Sequence, residues 1–133
     1  MHLLDTNICI ALLNGNSLAI QRYNDLAEDC YISAIVVAEL YKGVYCSQRV
    51  QQNLEIIRLF LSDMLVVEFD LNAAIEFGRI QSELRQIGKP TGEVDAFIAA
   101  IARSRNDTVV TDNLRHFINI TGLKIENWLT DKL

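Results

Sequence analysis

Proline and glycine are scarce in this sequence, which has one proline and six glycines in 133 residues. Half of the residues are hydrophobic. A chain so poor in turn-forming residues and so rich in apolar ones is predicted to fold into an ordered globule, and low-complexity or disordered classes are excluded. The length suits one structural unit, so we expect residues 1–133 to form a single domain.

Cysteine and long apolar runs are also in short supply. Cys9, Cys30 and Cys46 are an odd number without a C-x-x-C pair, so disulfides and zinc are not expected, whereas buried free thiols are. The longest apolar stretches, such as residues 34–38, are far shorter than a membrane span. The apolar run at the N-terminus is broken at Asp5 and has no basic segment before it. We therefore expect a cytoplasmic protein.

Positive charge is limited as well, because the formal net charge is −5. This balance argues against broad electrostatic adhesion to nucleic acid. A nuclease is not excluded, since a bound divalent cation can supply positive charge locally. Residues 79–105 alone have a surplus of two positive charges. The sequence has no P-loop or G-x-G-x-x-G pattern for a nucleotide.

Short apolar segments alternate with longer amphipathic ones along the whole chain. The segments 3–4, 30–33, 64–69, 108–111 and 123–126 are predicted strands. Helices are predicted at 8–13, 17–28, 34–45, 50–61 and 71–87, and a sixth is opened by Thr91-Gly92 and runs to about residue 104. Ser17, Ser33 and Ser47 are the predicted N-caps of the second, third and fourth. This order predicts an α/β fold, with a parallel sheet of about five strands and helices on both faces.

The first strand delivers Asp5 at its carboxyl end, followed by the small polar side chains of Thr6 and Asn7. Ligands of open α/β sheets bind at the carboxyl ends of strands, so Asp5 is a candidate site residue. An alternative is that Asp5 or Asn7 only caps the helix beginning at Ile8. The sequence up to this point leaves both interpretations open.

Three further acids follow strands or open helices in the same way. Glu39 lies in the helix after the second strand, Asp95 lies in a first helical turn, and Asp112 directly follows the fourth strand. Carboxylates that converge from separate segments repel one another unless a cation joins them. An all-oxygen site suits Mg²⁺, or Mn²⁺, and the reaction it serves is metal-assisted phosphodiester hydrolysis.

Each of these acids has a structural alternative. Glu39 can form a helical i,i+3 pair with Lys42. Asp95 can complement the dipole of its helix, and Asp112 with Asn113 can be turn chemistry alone. His116 is interpreted as a turn residue in preference to a general base.

Four motifs, in order, resemble those of PIN domains, and more narrowly the VapC toxins of VapBC toxin–antitoxin pairs. They are Leu4-Asp5-Thr6-Asn7, Ser33-x-x-x-x-Ala38-Glu39-Leu40-x-x-Gly43, Gly92-x-x-Asp95-x-x-Ile98-Ala99-Ala100 and Val110-Thr111-Asp112-Asn113, with Glu126-Asn127-Trp128 as a family-like ending. The resemblance covers essentially the whole chain. One departure is that the family often has its fourth acid where this chain has Asn113.

The resemblance implies a PIN-like three-layer fold and a Mg²⁺-dependent endoribonuclease. It assigns catalytic roles to Asp5, Glu39 and Asp95, and metal binding to Asp5 and Asp95. Further candidate metal ligands are Glu39, Asp112 and Asn113. The candidate supporting residues are Thr6, Asn7 and Thr111.

The resemblance also implies partners. We expect a homodimer, a VapB-like antitoxin inserted near the site, and an RNA substrate, with the anticodon stem-loop of initiator tRNA favoured. Apolar side chains of the helices within 8–28 and 50–61 also predict a dimer. Two alternatives remain: a catalytically silent PIN-like binding module, and a phosphatase with Asp5 as nucleophile, although such phosphatases require an acid where this chain has Asn7.

Overall fold

The computed structural model describes residues 1–130. Strands and helices alternate in the order β1 (His2–Leu4), α1 (Thr6–Leu13), α2 (Ser17–Leu26), β2 (Cys30–Ser33), α3 (Ala34–Tyr45), α4 (Val50–Ser62), β3 (Val66–Val67), α5 (Leu71–Gln86), α6 (Glu93–Arg105), β4 (Thr108–Val110) and β5 (Lys124–Glu126). Short 3-10 turns lie at Ala27–Asp29 and Leu114–His116. The predicted α/β fold, with five strands and flanking helices, is confirmed.

The sheet is parallel throughout, with the strand order β3-β2-β1-β4-β5. All residues of β2 are buried, as are Leu3 and Leu4 of β1 and Val109 and Val110 of β4. Continuous burial of this kind is expected where helices cover both faces of a parallel sheet. The central strands therefore form a rigid base for whatever follows their carboxyl ends.

Two helices connect each of the first three pairs of consecutive strands, including the predicted pair α3 and α4 between β2 and β3. The chain runs from β1 outward to β3 and then returns to the other side of β1 at β4. The direction of winding thus reverses between β1 and β4. Ligands of doubly wound sheets bind at this reversal, outside the carboxyl ends of the strands.

Several predicted boundaries and caps are wrong in detail. Strand β3 has only two residues instead of 64–69, and α2 ends at Leu26, where a 3-10 turn continues to Asp29. The N-cap of α2 is Asn16, whose side chain accepts from the backbone N of Ala19. Asn16 and Ser17 are both residue types favoured as N-caps. Asn16 takes the role because its backbone is extended, whereas Ser17 is already the first residue of the helix.

Ser47 does not cap α4. The N-cap is Arg49, which has no capping hydrogen bond from its side chain. The hydroxyl of Ser47 instead donates to Val44 O at 2.6 Å and accepts from Asn53 Nδ2 at 3.0 Å. By contrast, Ser33 caps α3 as predicted, through a bond from Val36 N.

All three cysteines are free, as expected, but only Cys9 and Cys30 are buried and Cys46 is exposed. None of the helices within residues 1–130 has both the length and the apolar character needed to cross a lipid bilayer.

Candidate functional site

Asp5 lies at the reversal point between β1 and β4. Its backbone N donates to Val110 O at 2.9 Å, and its side chain is buried, with 4% of the residue exposed. Asp5 is also the N-cap of α1, because its Oδ1 accepts from Thr6 N at 2.8 Å. The capping role and the predicted site position are therefore compatible, and α1 begins two residues earlier than predicted.

Thr111 and Asn7 hold the second carboxylate oxygen of Asp5. The Thr111 hydroxyl donates to Asp5 Oδ2 at 2.8 Å, and Asn7 Nδ2 lies 3.3 Å from both Asp5 Oδ2 and Thr111 Oγ1. Thr111 Oγ1 also accepts from Asn113 N at 3.0 Å. The predicted supporting residues thus contact Asp5 directly and restrict its orientation.

Glu39 reaches the same region from the second turn of α3. Its Oε1 accepts from the Thr6 hydroxyl at 2.5 Å. Thr6 therefore bonds to two acids at once, through its backbone N to Asp5 and through its hydroxyl to Glu39. Glu39 and Lys42 form no ion pair among the described residues, and the bond to Thr6 shows that this acid is oriented inward.

Asp95 projects from the first turn of α6, which is capped by Gly92. Its Oδ2 lies 3.1 Å from His116 Nδ1, and the two side chains are 24% and 39% exposed, respectively. The contact with His116 was not predicted, because the sequence between the two residues contains no pattern that pairs them. His116, which was interpreted from the sequence as a turn residue, therefore lies next to the predicted catalytic acid Asp95.

Asp112 and Asn113 differ from the other candidates because both are exposed. Asp112 Oδ1 accepts from Asn127 Nδ2 at 3.1 Å, and its backbone N donates to Asn7 Oδ1 at 2.9 Å. Asn127 Oδ1 in turn accepts from Leu129 N at 2.9 Å. The Asp112 side chain is thus oriented toward the C-terminal segment, and its contribution to a metal site stays a prediction, as does that of Asn113.

The electrostatics of Asp5 reflect both its burial and its acidic neighbours. Burial raises the pKa of this carboxyl most, the hydrogen bonds from Thr111 and Thr6 lower it, and the charges of Asp95 and Glu39 raise it further. The net result is a pKa above the ordinary value. The charges of the acids on α3 and α6 therefore act on the acid that follows β1.

These side chains offer oxygen ligands, which are the type that Mg²⁺ and Mn²⁺ prefer. Across residues 1–130, no group of three or more His, Cys, Asp or Glu side chains is arranged to hold a metal ion. Magnesium usually keeps several water ligands and requires only one or two direct carboxylates. The arrangement around Asp5 fits such a partly hydrated ion and does not fit a closed all-protein cage.

An apolar groove of about 290 Å³ runs beside this site between α1, α3 and α4. Glu39 lies among its lining residues, so the groove and the acidic site share a wall. The side chains of Ile10 and Ile56 are 45% and 44% exposed there. Its other apolar lining residues are Leu13, Leu40, Val44 and Ile57.

Comparison with known proteins gives a consistent result. The family model described as PIN domain matches residues 2–123. The chain is 40% identical over 129 residues to ribonuclease VapC2 of Haemophilus influenzae, covering 96% of this chain and 98% of that protein. It is 38% identical over 127 residues to the tRNA(fMet)-specific endonuclease VapC of Shigella flexneri, covering 95% and 96% of the two chains.

The same similarity extends to solved structures. In DNA-bound VapBC from Salmonella typhimurium, one chain superposes with a TM-score of 0.91 at 38% identity, covering 96% of this chain and 97% of the other.

Proposed function

This chain belongs to the PIN-domain family and, within it, to the VapC ribonucleases, and from that premise we propose that it is the endoribonuclease toxin of a toxin–antitoxin pair. It hydrolyses phosphodiester bonds of RNA with a divalent metal, Mg²⁺ or Mn²⁺. The observation that carries this proposal is the buried Asp5 at the sheet reversal, whose pKa is raised in part by Asp95 and Glu39. The chain 1–133 acts as a single domain.

Asp5 and Asp95 would hold the metal, with Glu39, Asp112 and Asn113 as further ligands or as partners of its water molecules. A bound ion would neutralise charge on the phosphate and favour deprotonation of a water molecule. Thr111, Thr6 and Asn7 orient the Asp5 carboxylate through three hydrogen bonds. Thr6 also fixes the direction of Glu39, so these side chains are organised before substrate arrives.

The substrate we propose is tRNA, with the anticodon stem-loop of initiator tRNA as the favoured site. Support comes from the Shigella flexneri relative, whose name specifies tRNA(fMet). A tRNA substrate agrees with the cytoplasm as the proposed compartment.

The partner we propose is a VapB-like antitoxin, supported by the VapBC complexes among the similar structures. The groove between α1, α3 and α4 offers this partner an apolar surface that ends at Glu39. An arginine of the antitoxin could bridge the acidic side chains bidentately when no metal is bound. This arginine at the acidic side chains, and not the filling of the groove, would then exclude RNA from the site.

A homodimer is the proposed assembly, and we assign it to a surface other than the one predicted from the helices within 8–28 and 50–61. Part of the exposed apolar surface of α1 and α4 lines the groove, which we assign to the antitoxin. A second apolar surface lies on α5, where Leu71 is 75% exposed and Ile75 is 50% exposed. These residues are four positions apart and share one helix face, which we assign to a second copy of the chain.

The alternatives have weaker support. A phosphatase with Asp5 as nucleophile would need a second acid two residues later, where this chain has Asn7, whose Nδ2 lies 3.3 Å from Asp5 Oδ2. A silent binding module would have no reason to retain the repulsion among Asp5, Glu39 and Asp95.

Cleavage of purified RNA tests the proposal. The protein is incubated with initiator tRNA and an elongator tRNA, with Mg²⁺ or with EDTA, beside Asp95→Asn and the matched control Asp25→Asn on exposed α2. We expect metal-dependent cleavage of initiator tRNA by the parent and by Asp25→Asn, and a loss of at least a hundredfold in Asp95→Asn. Cleavage in EDTA, or equal activity of Asp95→Asn, would contradict the proposal.

A further inference from the structure

A second cavity, of about 470 Å³, has Asp95 in its wall and shares no lining residue with the apolar groove. It lies between the loop joining α5 to α6 and the 3-10 turn at Leu114–His116. We call it the basic pocket, and its polar lining residues are Lys89, Thr91, Asp95, Arg115, His116 and Asn119. In a chain with a net charge of −5, a cavity lined by two permanent cations is a local reversal of charge.

The charged groups of the two cations in the basic pocket have no hydrogen-bonding or ionic partner among residues 1–130. Within the described part of the chain, the side chains of Lys89 and Arg115 take part in no ion pair and no hydrogen bond, and both residues are exposed. In contrast, Arg58, Arg103 and Arg105 are each paired with a carboxylate. The charges of Lys89 and Arg115 are therefore available to a ligand.

The basic pocket is attached to the acidic site by two contacts. The hydroxyl of Thr91 donates to the backbone O of His116 at 2.9 Å, which joins the two loops that form its walls. His116 Nδ1 lies 3.1 Å from Asp95 Oδ2. The one carboxylate in the pocket wall is thus paired, and it belongs to the proposed catalytic set.

We propose that the basic pocket binds a phosphate of the RNA next to the phosphate that is hydrolysed. This inference rests on the proposed function, because Asp95 is a wall of both sites. Arg115 is suited to bidentate contact with phosphate oxygens, and Lys89 supplies a point charge. Because successive phosphates lie along one strand, occupation of the pocket holds the RNA against the acidic site in a fixed register.

Equilibrium binding provides the first test. Fluorescence anisotropy measures the affinity of the full chain for a labelled anticodon stem-loop RNA in EDTA, where hydrolysis is prevented, at several salt concentrations. We expect Lys89→Gln and Arg115→Gln each to weaken binding at least fivefold and to reduce the salt slope by about 0.7. The matched control is Arg49→Gln, an exposed arginine at the start of α4, which should stay within twofold of the parent.

A neutral substrate linkage provides the second test. RNAs with one methylphosphonate next to the cleavage site lack one backbone charge. We expect a methylphosphonate at one such position to weaken binding by the parent at least fivefold. It should have no further effect on Arg115→Gln, because the phosphate charge and the Arg115 charge belong to one contact, which either change removes. The same RNA should raise KM of the parent with Mg²⁺ more than it lowers kcat.

The outcomes separate this inference from the proposed function. Three outcomes would overturn the proposed role of the basic pocket. They are Lys89 and Arg115 variants that bind RNA as well as Arg49→Gln does, a parent protein that does not bind RNA, and variants that lose only antitoxin binding. A parent that binds through Lys89 and Arg115 but does not cleave with Mg²⁺ would support the pocket and contradict the endoribonuclease proposal.

Discussion

Thr111 and Asp5 are 106 positions apart in the chain, yet the hydroxyl of Thr111 donates to Asp5 Oδ2 at 2.8 Å. The residues follow the neighbouring strands β4 and β1. Thr111 is fully buried, and its oxygen also accepts from Asn7 and from the backbone N of Asn113. One hydroxyl therefore orients the central acid, a polar neighbour and the turn that contains Asp112.

Thr111→Val keeps the shape of this side chain and removes the hydroxyl. We expect the free energy of unfolding to fall by about 1–3 kcal/mol, because buried polar groups lose their partner. The pKa of Asp5 should rise further, since a hydrogen bond that lowers it is removed. Chemical denaturation and RNA cleavage measure the two effects, and Thr111→Ser should restore both. Full activity in Thr111→Val would exclude a role for this hydroxyl in orienting Asp5.

The parts of the site that could be predicted are those set by the topology. Asp5 and Thr111 both follow predicted strands, and the carboxyl ends of parallel strands share one edge of the sheet. The inward direction of Glu39 followed from its apolar neighbours. These inferences needed only the strand order and the helical period.

The contacts that could not be predicted depend on loop conformation. His116 meets Asp95, and Asn127 meets Asp112, through turns whose side-chain directions have no sequence period. The choice of Asn16 over Ser17 as N-cap is of the same kind, because both residue types suit the position and backbone geometry decides.

Glu39→Gln should stabilise the metal-free protein. The substitution removes a charge that raises the pKa of Asp5 but keeps an oxygen to accept from Thr6. We expect a gain on the order of 1 kcal/mol in EDTA at neutral pH, from one relieved charge contact at an effective dielectric near 20. Thermal melts with EDTA and with Mg²⁺ measure this, and Mg²⁺ should raise Tm of the parent more than that of Glu39→Gln.

The pH dependence of the same variants has a defined sign. The folded pKa of Asp5 lies above its ordinary value, so its ionised form reduces stability at neutral pH, and this loss is relieved as pH falls through the folded pKa. The relief should be smaller in Glu39→Gln.

Asp5→Asn is expected to gain less stability in EDTA than Glu39→Gln does, because the oxygen of Thr111 already accepts two hydrogen bonds and cannot accept a third from the new amide.

The proposed dimer surface on α5 can be tested by one charge. Ile75→Glu places a carboxylate in the middle of this exposed apolar face, where a second copy would bury it without a partner. We expect light scattering to give a dimer mass for the parent and a monomer mass for Ile75→Glu at micromolar concentration. Leu59→Glu on exposed α4 is the control and should remain dimeric. A monomeric parent would contradict the assembly.

The buried pair Tyr31 and Asp107 contributes stability with a different pH dependence. Tyr31 donates its hydroxyl to Asp107 Oδ2 at 2.6 Å. Burial raises the pKa of Asp107, but the hydrogen bonds from Tyr31, the Met1 ammonium and Arg105 lower it below the ordinary value. Because the folded pKa is lowered, the associated stability is present above the ordinary carboxyl pKa and is lost as pH falls through the folded pKa.

Tyr31→Phe should therefore reduce the free energy of unfolding by about 1.5–3 kcal/mol at pH 7. The difference from the parent should narrow as pH falls below the ordinary aspartate pKa of about 4 and on through the lowered pKa of folded Asp107. Urea denaturation at several pH values measures this. Tyr45→Phe removes an exposed hydroxyl and serves as the control. A difference that stays constant down to pH 2 would mean that packing, and not the carboxylate, accounts for the loss.

The groove proposed for the antitoxin contains a glycine, Gly43, at which a side chain can be added. Apart from its chain neighbours and the backbone of its own helix, no atom of the described residues lies within 4 Å of the position that its Cβ would take, and residue 43 lines the groove. Gly43→Phe should therefore fill the groove without disturbing α3. Gly43→Ala is the matched control, because it makes the same backbone change and should slightly favour the helix.

We expect Gly43→Phe to weaken binding of the co-expressed VapB-like antitoxin at least tenfold, with RNA cleavage by the free enzyme close to that of the parent. Gly43→Ala should bind the antitoxin normally. Calorimetric titration and the cleavage assay measure the two properties separately. In cells, Gly43→Phe should arrest growth even when the antitoxin is present, whereas normal neutralisation of this variant would mean that the antitoxin binds elsewhere and that Glu39 is not at the end of its binding surface.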